Sequence, residues 1–225
     1  MCLSRFASFP DSRKPLKVAF TSDWHKNPGD NFNDMEVPEC DVWIDVGDAF
    51  NILPIGIDEW LTRKGHYTVD SYDNATLPAK KRYFLPGNHG GRLSWCKRLL
   101  APYDIEVVRS LDIGGVHFEH GDKYCEWRIL GLFADDLTEW ATTNKLSRRL
   151  WYAFCQRQGW LPGNLEGKPK YNKTIGAYWG IACNVAHTKG YKKLVIGHSH
   201  SPETQRTAFC EVVDCGKRQV LTMEV

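Results

Sequence analysis

This 225-residue chain has no paired-cysteine motif, no long apolar run and almost no excess of one charge. Its eight cysteines (Cys2, Cys40, Cys96, Cys125, Cys155, Cys183, Cys210 and Cys215) are scattered without a C-x-x-C pair, which excludes a zinc ribbon or thioredoxin-type motif. They are expected as buried, reduced thiols, with a Cys210–Cys215 disulfide as the alternative. No apolar stretch is long enough to span a bilayer, and Met1 to Pro15 lacks the hydrophobic core of a secretory signal, so the expectation is a cytoplasmic protein. A formal charge of +2 gives no warrant for a nucleic-acid or membrane-surface protein. Internal repeats and low-complexity segments are also missing. What remains, 42% hydrophobic and 25% charged residues, suits one substantial core and hence a single domain over 1–225.

Against that background, five short polar runs stand out: Asp23-Trp24-His25, Gly47-Asp48, Gly87-Asn88-His89, His120-Gly121-Asp122 and Gly197-His198-Ser199-His200. Each follows an apolar β-type stretch directly, as an α/β scaffold does when it delivers functional groups to one sheet edge. The strands read as Lys17 to Thr21, Val42 to Val46, Arg82 to Leu85, Ile105 to Val108, Val116 to Glu119 and Leu194 to Ile196. Gly114-Gly115 is expected to turn the chain between the fourth and fifth of these. Thr207 to Asp214 and Arg218 to Val225 are expected as a closing hairpin across Cys215-Gly216. Short helices are predicted near Ile57 to Lys64 and over Arg92 to Leu100, while Asp70 to Ala79 shows no clear pattern.

Between Tyr124 and Lys193 helical spacing replaces alternation. One helix is expected from Asp135-Asp136 to about Gln158, and a second from Thr174 to Lys189, with Gly190 as its stop. This stretch, about 124–193, reads as a helical insertion.

The five runs use five of the chain's eight histidines; His66, His117 and His187 lie outside them. Asp23, His25, Asp48, Asn88, His120, His198 and His200 together offer the mixture of carboxylate, imidazole and carboxamide that a two-metal phosphoesterase centre needs. A lone strand-end histidine, or a lone Gly-Asp, is more often structural. The ordered conjunction of all five runs is what points to metal.

As a set, the runs resemble the calcineurin-like metallophosphoesterase family, whose pattern is D-x-H, G-D, G-N-H followed by Asp or Glu, a histidine at a strand end, and G-H-x-H. The resemblance implies an α/β fold of two packed mixed sheets flanked by helices, a four-layer sandwich. It also implies that Asp23, His25 and His200 hold one metal, that Asn88, His120 and His198 hold the other, and that Asp48 bridges them. His89 would contact the scissile phosphate and protonate the leaving oxygen after attack by a metal-bridging hydroxide. The chain departs from the pattern at Gly90, where the family's acidic residue would orient His89; Asp122 is a candidate replacement. The cofactors expected are two divalent ions, with Mn first and Fe, Zn or Co as alternatives.

The insertion carries Arg128, Lys145, Arg148, Arg149, Arg157, Lys168, Lys170 and Lys173 beside Trp127, Trp140, Trp151, Trp160 and Trp179. Most of the tryptophans are expected in a core and most of the charges in solvent, with some basic groups left for the substrate. The expected substrate is a phosphorylated small molecule or a nucleotide-like one, hydrolysed as a phosphomonoester or phosphodiester; nucleic acid is not favoured. Two alternatives stay open. One is a UDP-diacylglucosamine-type pyrophosphohydrolase, similar in the position of its helical insertion. The other is a non-catalytic metal-binding scaffold.

Overall fold

Strands and helices are mixed along the chain, and each sheet is built around a set of parallel strands. The structure, a computed structural model, describes residues 14–53, 55–90, 92–124, 146–147, 149–150 and 169–225. The ten strands among the described residues are β1 (Lys17–Thr21), β2 (Cys40–Asp45), β3 (Ala79–Phe84), β4 (Glu106–Val107), β5 (Ser110–Ile113), β6 (Val116–Glu119), β7 (Lys193–Ile196), β8 (Glu203–Arg206), β9 (Glu211–Asp214) and β10 (Leu221–Glu224). They form two five-stranded mixed sheets, ordered β10-β1-β2-β3-β4 and β5-β6-β7-β9-β8. In the first, β1 to β4 are parallel and β10 is antiparallel on β1. In the second, β6, β7 and β9 are parallel, and β5 and β8 are antiparallel edges.

Alternation along the strands sets the layers. Val18, Phe20, Ile44 and Tyr83 of the first sheet meet Leu111, Val116, Phe118 and Val195 of the second in a buried core between the sheets. Ala19, Trp43 and Phe84 point the other way, onto helices α1 (Ile57–Trp60), α2 (His66–Thr76) and α3 (Leu93–Leu100). On the far side, Leu194, Ile196 and Val212 pack against Tyr178, Trp179, Ala182 and Ala186 of α4 (Pro169–Lys189). The result is helices, sheet, sheet, helix, with both sheets buried on both faces as parallel strands require. No helix among the described residues is long and apolar enough to cross a membrane.

Several elements differ from the sequence reading. The stretch around Asp70 is helical: α1 runs through a wide turn at Leu61–Gly65, where Arg63 and Lys64 leave helical geometry, into α2. Thr68, Val69, Tyr72 and Thr76 form the buried face of α2, and threonines at two of these positions hide its apolar periodicity. Both hydroxyls donate to carbonyls, that of Thr68 to Asn27 in the loop after β1 and that of Thr76 to Tyr72 within the helix. The Gly114-Gly115 turn joins β5 to β6, while β4 belongs to the other sheet, so the chain crosses between sheets after Val107. The closing hairpin does not form across Cys215-Gly216. There β9 hands over to β10 in the first sheet, and the hairpin is β8–β9. Cys210 and Cys215 are free thiols, as are Cys40, Cys96 and Cys183.

The second predicted helix is present as α4, begun by Pro169 and stopped by Gly190 at φ 72°. The helix predicted from Asp135 lies outside the described residues. So do Trp127, Arg128, Trp140, Lys145, Arg148, Trp151, Arg157, Trp160 and Lys168. Trp179 is a core residue, buried on α4.

Candidate metal centre

All five polar runs begin within four residues of the C-terminal ends of parallel strands: Asp23 after β1, Asp48 after β2, Asn88 after β3, His120 after β6 and His198 after β7. Backbone hydrogen bonds carry the ladders past the strands and fix the loops, with Asp23 N–H donating to the Gly47 carbonyl (2.9 Å), His25 N–H to that of Asp48 (2.8 Å) and Gly197 N–H to that of His120 (3.0 Å). Between the two inward groups of the first loop, Trp24 turns into the core and donates from Nε1 to the Thr21 hydroxyl. Seven non-glycine residues among those described adopt positive φ, and five of them are Asp23, His25, Asp48, His198 and His200. Such backbone costs on the order of 1–3 kcal/mol per residue, and its concentration here marks side chains aimed by constraint.

Each carboxylate is held by one oxygen and presents the other. Asp23 Oδ2 accepts from the Ser22 hydroxyl (2.5 Å) and the His198 N–H (2.8 Å), which joins the two sheets across the site. Its buried Oδ1 has no hydrogen-bond partner and lies 3.5 Å from His25 Nε2 and 3.3 Å from His200 Nε2, themselves 3.0 Å apart. Asp48 Oδ1 accepts the His89 N–H (2.7 Å), and its Oδ2 lies 3.2 Å from His120 Nε2. His120 donates from Nδ1 to the Val46 carbonyl (2.8 Å), so the lone pair of its neutral ring sits on Nε2, beside Asp48 Oδ2 and the Asn88 Oδ1 at 3.2 Å.

These atoms fall into overlapping groups: Asp23, His25 and His200; Asp48, His120 and His198; and His25, Asp48 and His89. With its Nδ1 committed to Val46, His120 turns Nε2 to the Asp48 and Asn88 oxygens, where a proton or a cation can sit. Two imidazole nitrogens at 3.0 Å with an orphaned carboxylate oxygen between them are a donor set for a cation.

Residues 16–202 match the calcineurin-like phosphoesterase family. The chain belongs to that family. No curated protein matches this phosphoesterase chain. Among solved structures it is similar to the phosphopantetheinyl hydrolase of Mycobacterium tuberculosis, at 11% identity and TM-score 0.43 over 91% of this chain and 90% of the other. It is also similar to Vps29 of Cryptosporidium parvum, at 10% identity and TM-score 0.41 over 94% and 86% of the two chains. Wild-type Vps29 of Entamoeba histolytica, solved with zinc, shares 12% identity at TM-score 0.37 over 90% and 74%.

The electrostatics of the site follow from its crowding. Burial would raise the Asp23 carboxyl, but the His200 and His25 rings facing it at 3.3 and 3.5 Å hold it well below the ordinary carboxylate range. Asp48 is likewise held low against its burial by the positive charge of His120 and His89. In return, and again against burial, Asp48 and Asp23 raise His120 well above the usual imidazole value. Burial and the neighbouring charge on His120 then push His198 down to about 3. The crowding thus drives two buried rings of one cluster in opposite directions, His120 towards the charged form and His198 away from it.

His89 is coupled to the same carboxylates, its ring 4.4 Å from that of His25, and burial pushes it down to about 4. The group that meets its Nδ1 is the side chain of Asn51, with Oδ1 at 2.9 Å. A Cβ at Gly90 would lie 3.4 Å from Cys96 Sγ and 3.5 Å from the Gly87 carbonyl oxygen, at the near edge of ordinary contact. Asp122, the candidate replacement, opens a 3-10 turn, accepts the Lys123 N–H and helps to raise His120. Asn51 went unnoticed in the sequence because no strand end or motif flags it. The signal was the β1–β2 register, which continues to the isolated bridge Lys26↔Phe50 and sets Asn51 beside His25.

Proposed function

We propose that this chain is a metal-dependent phosphoesterase that hydrolyses a phosphomonoester or phosphodiester of a small or nucleotide-like molecule. The observation that carries the reading is Asp23 Oδ1, a buried carboxylate oxygen without a hydrogen-bond partner, facing two imidazole nitrogens. Asp23, His25 and His200 would hold one divalent ion, Asn88, His120 and His198 a second, with Asp48 shared between them. The groupings of these side chains in space support that division. Mn is the first choice, with Fe, Zn or Co suiting the same nitrogen and oxygen donors. When bound, such ions supply an activated water and neutralise phosphoryl oxygens.

The chain's own residues do the rest. Asp48 and Asp23, each fixed through one oxygen, keep the ligand geometry from relaxing. His89 stands beside the carboxylates on the same edge, with Nδ1 meeting Asn51 Oδ1, and Nε2 would be the nitrogen that serves the substrate. A bound phosphate brings negative charge next to that ring and favours its protonation against the effect of burial. As water oxygen bonds to phosphorus and the bond from phosphorus to the leaving oxygen breaks, Nε2 passes its proton to that oxygen. A cytoplasmic location accords with the free thiols of Cys40, Cys96, Cys210 and Cys215.

The test is hydrolysis of p-nitrophenyl phosphate and bis-p-nitrophenyl phosphate by chelator-treated protein resupplied with Mn. Wild type should turn over at least one of them, Asp48→Ala neither, and His89→Ala should fall by about 10²- to 10⁴-fold. Equal inertness of wild type and Asp48→Ala with every metal, alongside retained metal binding, would establish the scaffold reading instead.

A further inference from the structure

We infer that Tyr178, on helix α4, is a positioning residue of the metal centre: its hydroxyl fixes the peptide that leads into His198. This role deepens the metal-dependent reading proposed above and rests on it only for the effect on turnover. Tyr178 is buried and donates from Oη to the Gly197 carbonyl at 2.7 Å. The N–H of the same peptide unit, that of His198, donates to Asp23 Oδ2 at 2.8 Å. In a trans peptide these two groups point in opposite directions, so the plane is gripped from both sides. The preceding N–H, of Gly197, donates to the His120 carbonyl at 3.0 Å.

The grip opposes strain. His198 has φ 74° and stands at the centre of a three-residue turn closed by the Ser199 N–H on the Gly197 carbonyl at 3.0 Å, the strained form of that turn. Tyr178 binds the second lone pair of the same carbonyl oxygen, so the turn is anchored to α4 as well as to itself. Two glycines make room for this. A Cβ at Gly121 would come 2.5 Å from the Tyr178 hydroxyl, and one at Gly197 would come 1.8 Å from Ser22 Oγ. The hydroxyl thus enters between the loops after β6 and β7, which carry His120 and His198 with their rings 5.2 Å apart. A neighbour supplies the control. Tyr124 belongs to the same aromatic cluster, its ring edge-on to Tyr178 at 6.2 Å, but its buried hydroxyl has no hydrogen-bond partner. The two tyrosines share burial and packing and differ in what their hydroxyls hold.

Tyr178→Phe and Tyr124→Phe, with wild type, His120→Ala and His200→Ala, test this in two ways. The first readout is independent of turnover: zinc affinity by chelator competition, with His120→Ala and His200→Ala assigning the two steps of the titration. Tyr178→Phe should weaken the step lost in His120→Ala about 10- to 100-fold. The other step, whose Asp23 keeps its bond from the Ser22 hydroxyl, should stay as in wild type. Tyr124→Phe should match wild type at both. If wild type loads in a single step, that one affinity carries the same comparison. The second readout is turnover of p-nitrophenyl phosphate as Mn is raised. Tyr178→Phe should need about 10- to 100-fold more Mn for its half-maximal rate, then reach the wild-type kcat at an unchanged KM. Zinc affinities of Tyr178→Phe equal to those of wild type would overturn the inference, as would equal losses at two resolved steps. A matching loss in Tyr124→Phe, or a rate deficit that saturating Mn leaves in place, would overturn it too, by pointing to the packing of the cluster. A wild type that binds zinc but turns over no substrate removes the phosphoesterase reading alone, and the titration still decides the role of Tyr178. A wild type that binds no zinc removes both.

Discussion

His120 donates from Nδ1 to the backbone carbonyl of Val46 at 2.8 Å, the last residue but one before Asp48. The loop that supplies one carboxylate of the site therefore also fixes the ring nitrogen that faces it, and Nε2 stands 3.2 Å from Asp48 Oδ2. Two sheets contribute to that contact, Val46 and Asp48 following β2 and His120 following β6. Cation binding at this point should stabilise the packing of one sheet on the other, because it ties their strand ends together.

Mn or Zn is accordingly expected to raise the unfolding temperature of wild type, and a chelator to reverse the rise. Saturation at a hundredfold excess over the dissociation constant corresponds to about 2.7 kcal/mol. His120→Ala should lose most of that response while keeping its fold, which thermal unfolding with and without metal measures directly. An undiminished response in His120→Ala would remove this ring from the centre.

Gly87 tests the crowding by another route. A Cβ at this position would overlap Asp48 Oδ1 and come within 2.8 Å of His120 Nε2, with no flexible side-chain end to yield. Gly87→Ala is expected to cost about 1–3 kcal/mol in denaturant unfolding and to weaken metal binding together with it. A variant with normal metal affinity would mean that Asp48 and His120 move apart without consequence.

How far the sequence leads can be judged from such residues. The strand ends carrying Asp23, Asp48, Asn88, His120 and His198 are legible because β-branched runs stop at polar groups, and glycines such as Gly87 precede them. The layers follow from alternation in β1, β2 and β6. Helix α2 was hidden because Thr68 and Thr76 occupy buried positions, and hydroxyls bonded to carbonyls do not register as apolar. The crossings between sheets, after Val107 and at Gly216, were hidden because short strands do not say which sheet they join. Asn51 was hidden for a related reason: its role depends on register beyond the end of a strand pair, and no residue type announces register.

The core between the sheets gives a prediction that owes nothing to metal. Phe118 is fully buried, its ring edge-on to Phe20 at 5.8 Å and 69°, one from each sheet. Phe118→Ala should cost about 3–5 kcal/mol in urea unfolding, and Phe118→Leu clearly less. A cost below about 1 kcal/mol for the alanine variant would contradict a shared, close-packed core.

On the outer face of β6, His117 offers a test by pH. Its side chain is 6% exposed, with Nδ1 2.8 Å from Asp112 Oδ1 and Nε2 3.5 Å from Glu119 Oε2, and its ring stacks on Tyr191 at 4.1 Å; Lys123 pairs with Glu119 from the following turn. Burial opposes charging, but the Glu119 and Asp112 carboxylates outweigh it and raise His117 above its ordinary value. The reciprocal effect, from His117 and Lys123 against burial, lowers Glu119. A raised imidazole contributes stability that is complete below its unfolded value of about 6.5 and is lost as pH rises through the folded one. A lowered carboxyl contributes stability above its unfolded value of about 4.3 and loses it as pH falls through the folded one. The network is therefore at full strength between roughly pH 4.3 and 6.5 and weakens towards alkaline pH. Denaturant unfolding of wild type and His117→Gln at pH 5.5, 7.0 and 8.5 should show a stability gap that is largest at the lowest of these and shrinks steadily. Because every other titrating group is common to both proteins, a gap that stays level with pH would mean that His117 carries no charge in the folded state.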